Sequence, residues 1–534
     1  MNQILYGATG LDDRRDPYSF YASGNVSMNL YGWSVPLSFA YSNQQFSFQQ
    51  PFNQYALHPT YKWVTGHIGY ANMNFSSYTL AGHTFLGTGV EATPGNWTVG
   101  MMYGRLLQAV QPDSLSEDAA EPAYRRMGYG LKAGYHQGND QLQFIFFRAQ
   151  DELNSIDYVP EADGILPQQN LVLSAMGSKQ LLEKFVISGE YAISGLNRDI
   201  RSDALQNPEA YKLFAHVGPL YTPRTSSSYY SAMKSAFSYQ GSAFTVGLGY
   251  ERIDPGYETL GAYFFNNDLE NITVNGATAF FGGRVNVAAN VGRQRDNLDG
   301  DKASALRRTV GSVNVGLAAS ERLNMQASYS NFTTFTNIRS QFVDINQLTP
   351  YDNLDTLNFT QISQNASLNA TYQLSTNKER SQNLSMNLSF QDAADNQGGV
   401  EQPSGSQFYM ATTSYSLSVP ARNIGASASF NYNQNRAAGQ VATTLGPTVS
   451  LNKTMLEKKL RTSLSTSWNG SLSEGEWRSR VMNVRLNGGF AVQNKHNLNL
   501  SVALVNRASL AESGLEGFTE VTGTLGYSYS FSTK

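Results

Sequence analysis

Alternation of apolar and polar residues with a period of two runs through most of the chain, in segments of about ten residues. In the segment 383–390 the apolar positions are Leu384, Met386, Leu388 and Phe390, and the positions between them are serine and asparagine. Successive side chains of a β-strand point to opposite faces of a sheet, so each segment has one apolar and one polar face. The chain is therefore predicted to be all-β.

The composition narrows the class of β protein. Only 15% of the residues are charged, against about 25% in a typical soluble protein, and the polar positions hold serine, asparagine, threonine and glycine. The net charge of −3 gives no reason to expect a nucleic-acid partner. The absence of cysteine excludes disulfides and thiolate metal sites. No apolar run reaches the roughly 18 residues of a transmembrane helix.

The connections between the strand segments alternate in length. Tight ones fall near 138–140, 183–184 and 321–322, and long ones span 151–168, 196–226 and 337–358. Short turns at one rim and long loops at the other are typical of transmembrane barrels. In lipid every backbone polar group must be paired, which requires a closed sheet. We therefore predict a single large antiparallel transmembrane β-barrel with short periplasmic turns and long extracellular loops.

Aromatic residues cluster at the ends of the apolar faces. Such positions are typical of the girdles that transmembrane barrels place at the membrane–water interface. The predicted interface aromatics are Tyr229, Tyr239, Trp468, Tyr527 and Phe531.

Two stretches carry a resemblance to known proteins. The sequence from Leu525 to Phe531, LGYSYSF, resembles the closing strand of Gram-negative outer-membrane barrels, although the chain continues with Ser532-Thr533-Lys534. Short motifs between Pro51 and Arg105 are similar to uncharacterised large outer-membrane proteins of the Bacteroidota. The resemblance implies the bacterial outer membrane as the location. Because the first residues lack a signal-peptide pattern, it also implies that a signal peptide has been removed.

Counting alternating segments gives about 24 strands, with 22–26 accepted, and parity favours an even number. The barrel is assigned to 18–531, with an N-terminal tail over 1–17, in the periplasm or in the barrel mouth, and a C-terminal tail over 532–534. The tight link at 31–33 then falls outside the cell and the long link at 43–61 in the periplasm, which is opposite to the general rule.

Charged residues at predicted lumen positions concentrate in the first half of the chain. They either form an eyelet that selects solutes or pair to stiffen the wall, and the sequence leaves both open. The second half has a neutral lining that binds sugars or only water. A barrel of this size needs filling, by infolded loops or by another protein. The lumen candidates are Arg126, Lys132, Lys184, Glu190, Lys234, Glu251, Arg284 and Arg293.

Two functions of different class are consistent with these observations. The first is a channel or transporter that passes small polar solutes. The alternative is a barrel subunit of an outer-membrane assembly or secretion complex, with its lumen occluded by loops or partner proteins. Catalytic motifs are absent and the spacing of the six histidines matches no metal motif, so we predict no enzyme, metal or cofactor. The expected partners are outer-membrane lipid and lipopolysaccharide and, under the alternative, other outer-membrane or periplasmic proteins.

Overall fold

The computed structural model describes most of the chain as β-strands. The structure describes all residues except 11–15, 44–53, 113–121, 158–164, 206–213, 215–216, 264, 301–306, 332–333, 338–358, 378, 394–395, 398–399, 402–405, 438, 494, 511–515 and 531–534. Phe531 and the predicted tail 532–534 thus lie outside them. In the described part of the chain, no helix is both long and apolar enough to cross a bilayer. Short 3-10 turns occur at Leu153–Ser155, Gly218–Leu220, Phe281–Gly283 and Pro420–Arg422.

The strands are numbered in chain order. The first fifteen are β1 Asn2–Thr9, β2 Tyr18–Leu30, β3 Trp33–Ser42, β4 Gln54–Leu57, β5 Thr60–Tyr61, β6 Val64–Asn72, β7 Thr84–Ala92, β8 Trp97–Leu107, β9 Arg126–Gln137, β10 Asp140–Asp151, β11 Gln169–Leu181, β12 Phe185–Asn197, β13 Ser227–Gln240, β14 Phe244–Ile253 and β15 Leu269–Phe280. The rest are β16 Val285–Arg295, β17 Arg307–Ala318, β18 Leu323–Ser330, β19 Thr334–Asn337, β20 Phe359–Asn377, β21 Arg380–Ala393, β22 Asn396–Gln397, β23 Val400–Glu401, β24 Ser406–Val419, β25 Ile424–Ala437, β26 Gln440–Met455, β27 Leu460–Ser473, β28 Glu476–Val492, β29 His496–Ser509 and β30 Phe518–Tyr529.

The predicted fold class is confirmed: the strands form a closed antiparallel barrel of 26 strands. Two of these strands are interrupted. β4 and β5 both pair with β3 and β6, and β18 and β19 both pair with β20, so each couple counts once. β22 and β23 form a separate small hairpin. The number lies at the upper end of the range accepted from the sequence.

The first strand lies within the range 1–17, for which the sequence predicted a tail. β1 pairs with β30 from Asn2, opposite Gly526, to Thr9, opposite Thr519, and its first residues also pair with β2. Its alternation is hard to detect, since Ile4 and Tyr6 are buried while Leu5 on the other face is 61% exposed. Both faces of this strand therefore carry an apolar residue.

Two strands that the sequence count missed explain why the links at 31–33 and 43–61 contradicted the rule of short turns at one rim and long loops at the other. Adding β1 and the interrupted strand β4–β5 reverses the direction assigned to the chain before residue 62. The tight connection at 31–32 then lies at the same end of the strands as the other tight turns. The long connection after β3 joins the long loops. The expected asymmetry thus extends to the first strands, whereas two connections at the rim of the long loops, between Ala437 and Gln440 and between Ser473 and Glu476, have only two residues each.

The chain divides into two compact units, which are described separately. Unit 1 comprises 1–21, 276–291 and 309–534, and unit 2 comprises 22–275 and 292–308. In both units one face of the strands carries large apolar side chains that are about half exposed. Examples are Phe144 at 58% and Leu248 at 56% in unit 2, and Leu486 at 48% in unit 1. Exposed apolar surface on this scale requires an apolar surrounding, as for a lipid-facing wall.

Candidate functional site: inward-folded segments held by charged strand residues

Two segments outside the strands pack against one face of unit 2, which we call the packed face. The first, 73–83, joins β6 to β7, and the second, 254–268, joins β14 to β15. Tyr78 and Leu80 of the first segment and Tyr257 of the second are at most 1% exposed. They form one apolar cluster with strand residues of the packed face, including Phe147, Val172, Ala192 and Ala232.

Glycine on the strands makes this close approach possible. A Cβ atom placed on Gly130 of β9 would lie 2.6 Å from Cε2 of Phe75, which is closer than real Cβ atoms come to other atoms. A Cβ atom on Gly261 would similarly lie 2.8 Å from Cζ of Phe147. Gly130 thus leaves the space that Phe75 of the first segment fills.

Hydrogen bonds join the two segments to each other. The Tyr257 hydroxyl donates to the Tyr78 carbonyl oxygen at 2.7 Å, and the Thr259 hydroxyl donates to the Thr79 carbonyl oxygen at 2.6 Å. The Ala81 amide donates to the Gly261 carbonyl oxygen at 3.0 Å. Since buried backbone groups need partners, each segment satisfies groups that the other would leave unpaired.

Neutral polar residues of the strands hold the second segment. The Leu260 amide donates to Oδ1 of Asn170 at 3.1 Å, and the Ser194 hydroxyl donates to the Glu258 carbonyl oxygen at 2.7 Å. Asn170 and Ser194 are buried, and the Asn170 amide also donates to Ser194 Oγ at 2.8 Å. The second segment is thus anchored to β11 and β12.

Charged residues of the strands hold the first segment. Lys132 Nζ donates to the Asn74 carbonyl oxygen at 3.1 Å, and Lys234 Nζ donates to Ser77 Oγ at 3.0 Å. The Tyr78 hydroxyl donates to Oε1 of Glu251 at 2.8 Å. Burial and the neighbouring Glu251 carboxylate raise the pKa of Tyr78 well above its ordinary value. The hydroxyl therefore stays protonated and remains a donor.

The same charges contact aromatic rings and one another. Lys234 Nζ lies 4.9 Å from the centre of the Tyr78 ring, and Lys132 Nζ lies 5.2 Å from that of Phe75. Lys234 also pairs with Glu190 at 2.9 Å, and the Glu190 side chain is fully buried. Ser174 donates to the other carboxylate oxygen of Glu190 at 2.9 Å. The cluster is thus an ion-paired support under the first segment.

The structure brings together some of the predicted lumen residues and separates others. Lys132, Glu190, Lys234 and Glu251 lie on the packed face and contact or support the first segment. Arg126 shares that face and pairs with Asp151, with Nε 2.7 Å from Oδ1. The first four form the site, while Arg126 lies in a separate ion pair.

Three of the predicted lumen residues are placed differently. Lys184 lies in the tight turn between β11 and β12, and Arg284 ends the turn Phe281–Gly283. Arg293 lies two residues after Val291, which is 50% exposed, and so shares the apolar face of β16. Two of these residues therefore belong to turns, and the third has the strand parity of the apolar face.

The predicted interface aromatics occupy different surroundings. Trp468 and Tyr527 are 60% and 43% exposed, and the Tyr527 hydroxyl lies 2.8 Å from Nδ1 of His496. Tyr239 contacts Phe185 with ring centres 5.2 Å apart. Tyr229 instead packs against Phe214 and Tyr221 of the β12–β13 connection. Phe531 lies outside the described residues.

Sequence reasoning missed the aromatic residues of the inward segments. The available signal was a set of large apolar residues in a region without alternation, opposite strands rich in glycine. These residues are Met73, Phe75, Tyr78, Leu80, Tyr257 and Leu260.

His83 makes the packing of the two segments sensitive to pH. Its ring stacks on Tyr263 at 4.0 Å, and its Nδ1 lies 2.9 Å from the Thr84 carbonyl oxygen. Burial lowers the pKa of His83 to about 4, which the bond to Thr84 partly opposes. His83 binds a proton more weakly in the packed state than in the open state. The packed state is therefore most stable above about pH 6.5 and loses stability as the pH falls towards 4.

We expect amide exchange in 73–83 to be slow at pH 7 and, after correction for intrinsic rates, faster at pH 4.5. The lowered pKa of His83 means that the free energy of opening the segment falls by at most about 3 kcal/mol over this pH range. His83→Asn should remove most of the pH dependence, and His496→Asn is the control. Equal pH dependence in both variants would exclude His83 as the cause.

Unit 1 has a different inner lining. Its strands carry rows of hydroxyl and amide side chains that hydrogen-bond across neighbouring strands. The Oγ atoms of Ser385 and Ser414 lie 2.6 Å apart, and those of Ser427 and Ser450 lie 2.7 Å apart. Asn431 Nδ2 donates to Thr448 Oγ1 at 3.2 Å. We call this the polar face of unit 1; it is uncharged over most of its area.

Comparisons with known proteins find similar solved structures but no matching family. No protein-family profile and no curated protein matches the sequence. Among solved structures, the Acinetobacter baumannii ferric preacinetobactin receptor BauA has 8% identity and a TM-score of 0.36, over 98% of this chain and 79% of BauA. The P pilus usher PapC translocation pore has 11% identity and a TM-score of 0.32, over 100% and 98%.

A third similar structure is the anion-selective porin from Comamonas acidovorans, with 12% identity and a TM-score of 0.28 over 68% of this chain and 100% of the porin. Nothing in these comparisons supports the resemblance to Bacteroidota proteins in particular.

Proposed function

We propose that the chain is an outer-membrane channel for small polar solutes, whose passage is narrowed by the segments 73–83 and 254–268. The observation that carries this proposal is the clamp on the first segment by Lys132, Lys234 and Glu251. Such a clamp inside a wall whose other face is apolar suits a segment that restricts a lumen. The polar face of unit 1 then provides the wetted part of the passage.

The channel proposal has a direct test. Purified protein in a planar bilayer should give discrete, steady conductance steps in potassium chloride, and vesicles that contain it should swell in small sugars. Solutes should enter more slowly as their size increases, because the inward segments occupy part of the cross-section. Intact protein that gives neither conductance nor swelling would contradict the proposal.

The second candidate is a barrel subunit of an assembly or secretion complex. The observation that favours it is the strand number, since 26 strands exceed the 16–18 of porins. This candidate requires a partner that stays bound in mild detergent. A protein that purifies alone from native membranes and still conducts would exclude it.

A further inference from the structure

The polar face of unit 1 contains a cleft of about 510 Å³ near the tight turns that join β26 to β27 and β28 to β29. Its side-chain lining is formed mainly by asparagine and serine, with one arginine that extends from the start of β27. The residues on which the argument rests are Asn452, Asn487, Asn499, Ser463, Ser501 and Arg461.

Part of this lining is fixed by hydrogen bonds. Ser501 Oγ donates to Oδ1 of Asn487 at 2.7 Å, and Nδ2 of Asn487 donates to Ser463 Oγ at 3.2 Å. Asn487 therefore has a set orientation, with its second amide hydrogen and second lone pair left for a ligand. The network links three neighbouring strands and gives the cleft a defined floor.

Other groups of the lining remain open. Asn452, Asn499 and Arg461 are exposed, and within the described residues the structure shows no side-chain hydrogen bond from them. Glycine keeps space beside them, since a Cβ atom on Gly489 would lie 3.2 Å from Oδ1 of Asn499. The cleft thus offers amide donors and acceptors together with a guanidinium.

The charge of the lining is one-sided. None of the residues that line the cleft is aspartate or glutamate, whereas Lys453 and Arg461 are both basic, and Arg461 carries a permanent positive charge. A guanidinium binds a carboxylate with two parallel hydrogen bonds. Amide and hydroxyl groups that both donate and accept match the hydroxyl groups of a sugar.

We propose that this cleft is a binding subsite for a small polyhydroxylated carboxylate, such as a sugar acid, with Arg461 on the carboxylate and the asparagines on the hydroxyl groups. The assignment rests on the proposed channel function, for which it names a class of solute. Binding here would raise the local concentration of such a solute in the passage.

The test measures binding directly, by saturation-transfer NMR on the folded protein in detergent at low salt. The probes are glucuronate, glucose, which lacks the carboxylate, and acetate, which lacks the hydroxyl groups. We expect glucuronate to bind most tightly, glucose about tenfold more weakly, and acetate more weakly still, because an ionic hydrogen bond and several neutral ones are each required.

Matched variants locate the site. Arg461→Gln should reduce glucuronate affinity about tenfold and leave glucose unchanged. Arg422→Gln makes the same charge change in the tight turn before β25, outside the cleft, and should change neither the glucuronate affinity nor the glucose affinity. Asn487→Leu should weaken both sugars. Circular dichroism and heat-modifiable gel mobility confirm that each variant is folded.

The outcomes separate this inference from the channel proposal. Equal effects of Arg461→Gln and Arg422→Gln, or acetate binding as tightly as glucuronate, would overturn the subsite, because general charge would then explain the result. Since binding is measured in detergent, it does not depend on conduction. A protein that conducts but does not prefer glucuronate loses only the subsite, and one that binds but does not conduct loses only the channel.

Discussion

Replacing 73–83 with the dipeptide Asn-Gly is expected to increase single-channel conductance several-fold. Asn72 and Thr84, which flank the segment, are directly paired across β6 and β7, so a two-residue turn closes the hairpin without moving either strand. The replacement removes Phe75 and Tyr78 from the packed face and leaves Lys132 and Lys234 without their contacts to the segment. Ion flow then rises with the wetted cross-section.

The control for this prediction introduces the same turn elsewhere. Gly138-Asn139 joins β9 to β10 between the paired residues Gln137 and Asp140. Exchanging it for Asn-Gly alters a turn of the same length without touching the inward segments, so conductance should not change. If both variants conduct like the parent protein, the first segment does not restrict the passage.

Lys234→Met is expected to destabilise the protein by about 2 kcal/mol, because it leaves the fully buried Glu190 carboxylate without its cation. The estimate lies below the roughly 3–5 kcal/mol for fully buried pairs, since the Lys234 side chain is 42% exposed. Urea unfolding in phospholipid vesicles, with tryptophan fluorescence as the signal, measures the change. A double variant with Glu190→Gln should recover part of the loss, because the stranded charge is removed.

An exposed ion pair in the same unit is the comparison for Lys234. Lys179, which is 61% exposed, pairs with Asp140, and such surface pairs contribute about 1 kcal/mol or less. Lys179→Met should therefore have little effect on unfolding. Equal effects of the two methionine substitutions would show that the Lys234–Glu190 pair does not support the packing.

The alternation of residues was sufficient to predict most of the strands. A run such as Leu384 to Phe390 has one apolar and one polar face, and the structure pairs Ser385 with Ser414 on the polar side. The prediction failed for β1, where Leu5 and Ile4 put apolar residues on both faces, and for β4 and β5, which have four and two residues. Short or two-faced strands carry no detectable period.

The candidate site was predicted only in part. Parity placed Lys132, Glu190, Lys234 and Glu251 on one face because they lie within regular strands, and the structure puts all four on the packed face. It could not show that Phe75 and Tyr78 fold back onto them, since a loop has no period and its contacts are distant in sequence. Tyr78 and Glu251, for example, are 173 residues apart.

The pairing of β1 with β30 has a consequence for the order of folding. Residues 2–9 and 519–526 form one ladder, so the barrel cannot close until nearly all of the chain has been delivered to the membrane. Until then both strands present unpaired backbone edges, which readily pair with other strands. Such a seam forms last and has a large entropic cost of closure. Deleting β1 should therefore leave a chain that inserts slowly and aggregates before it inserts.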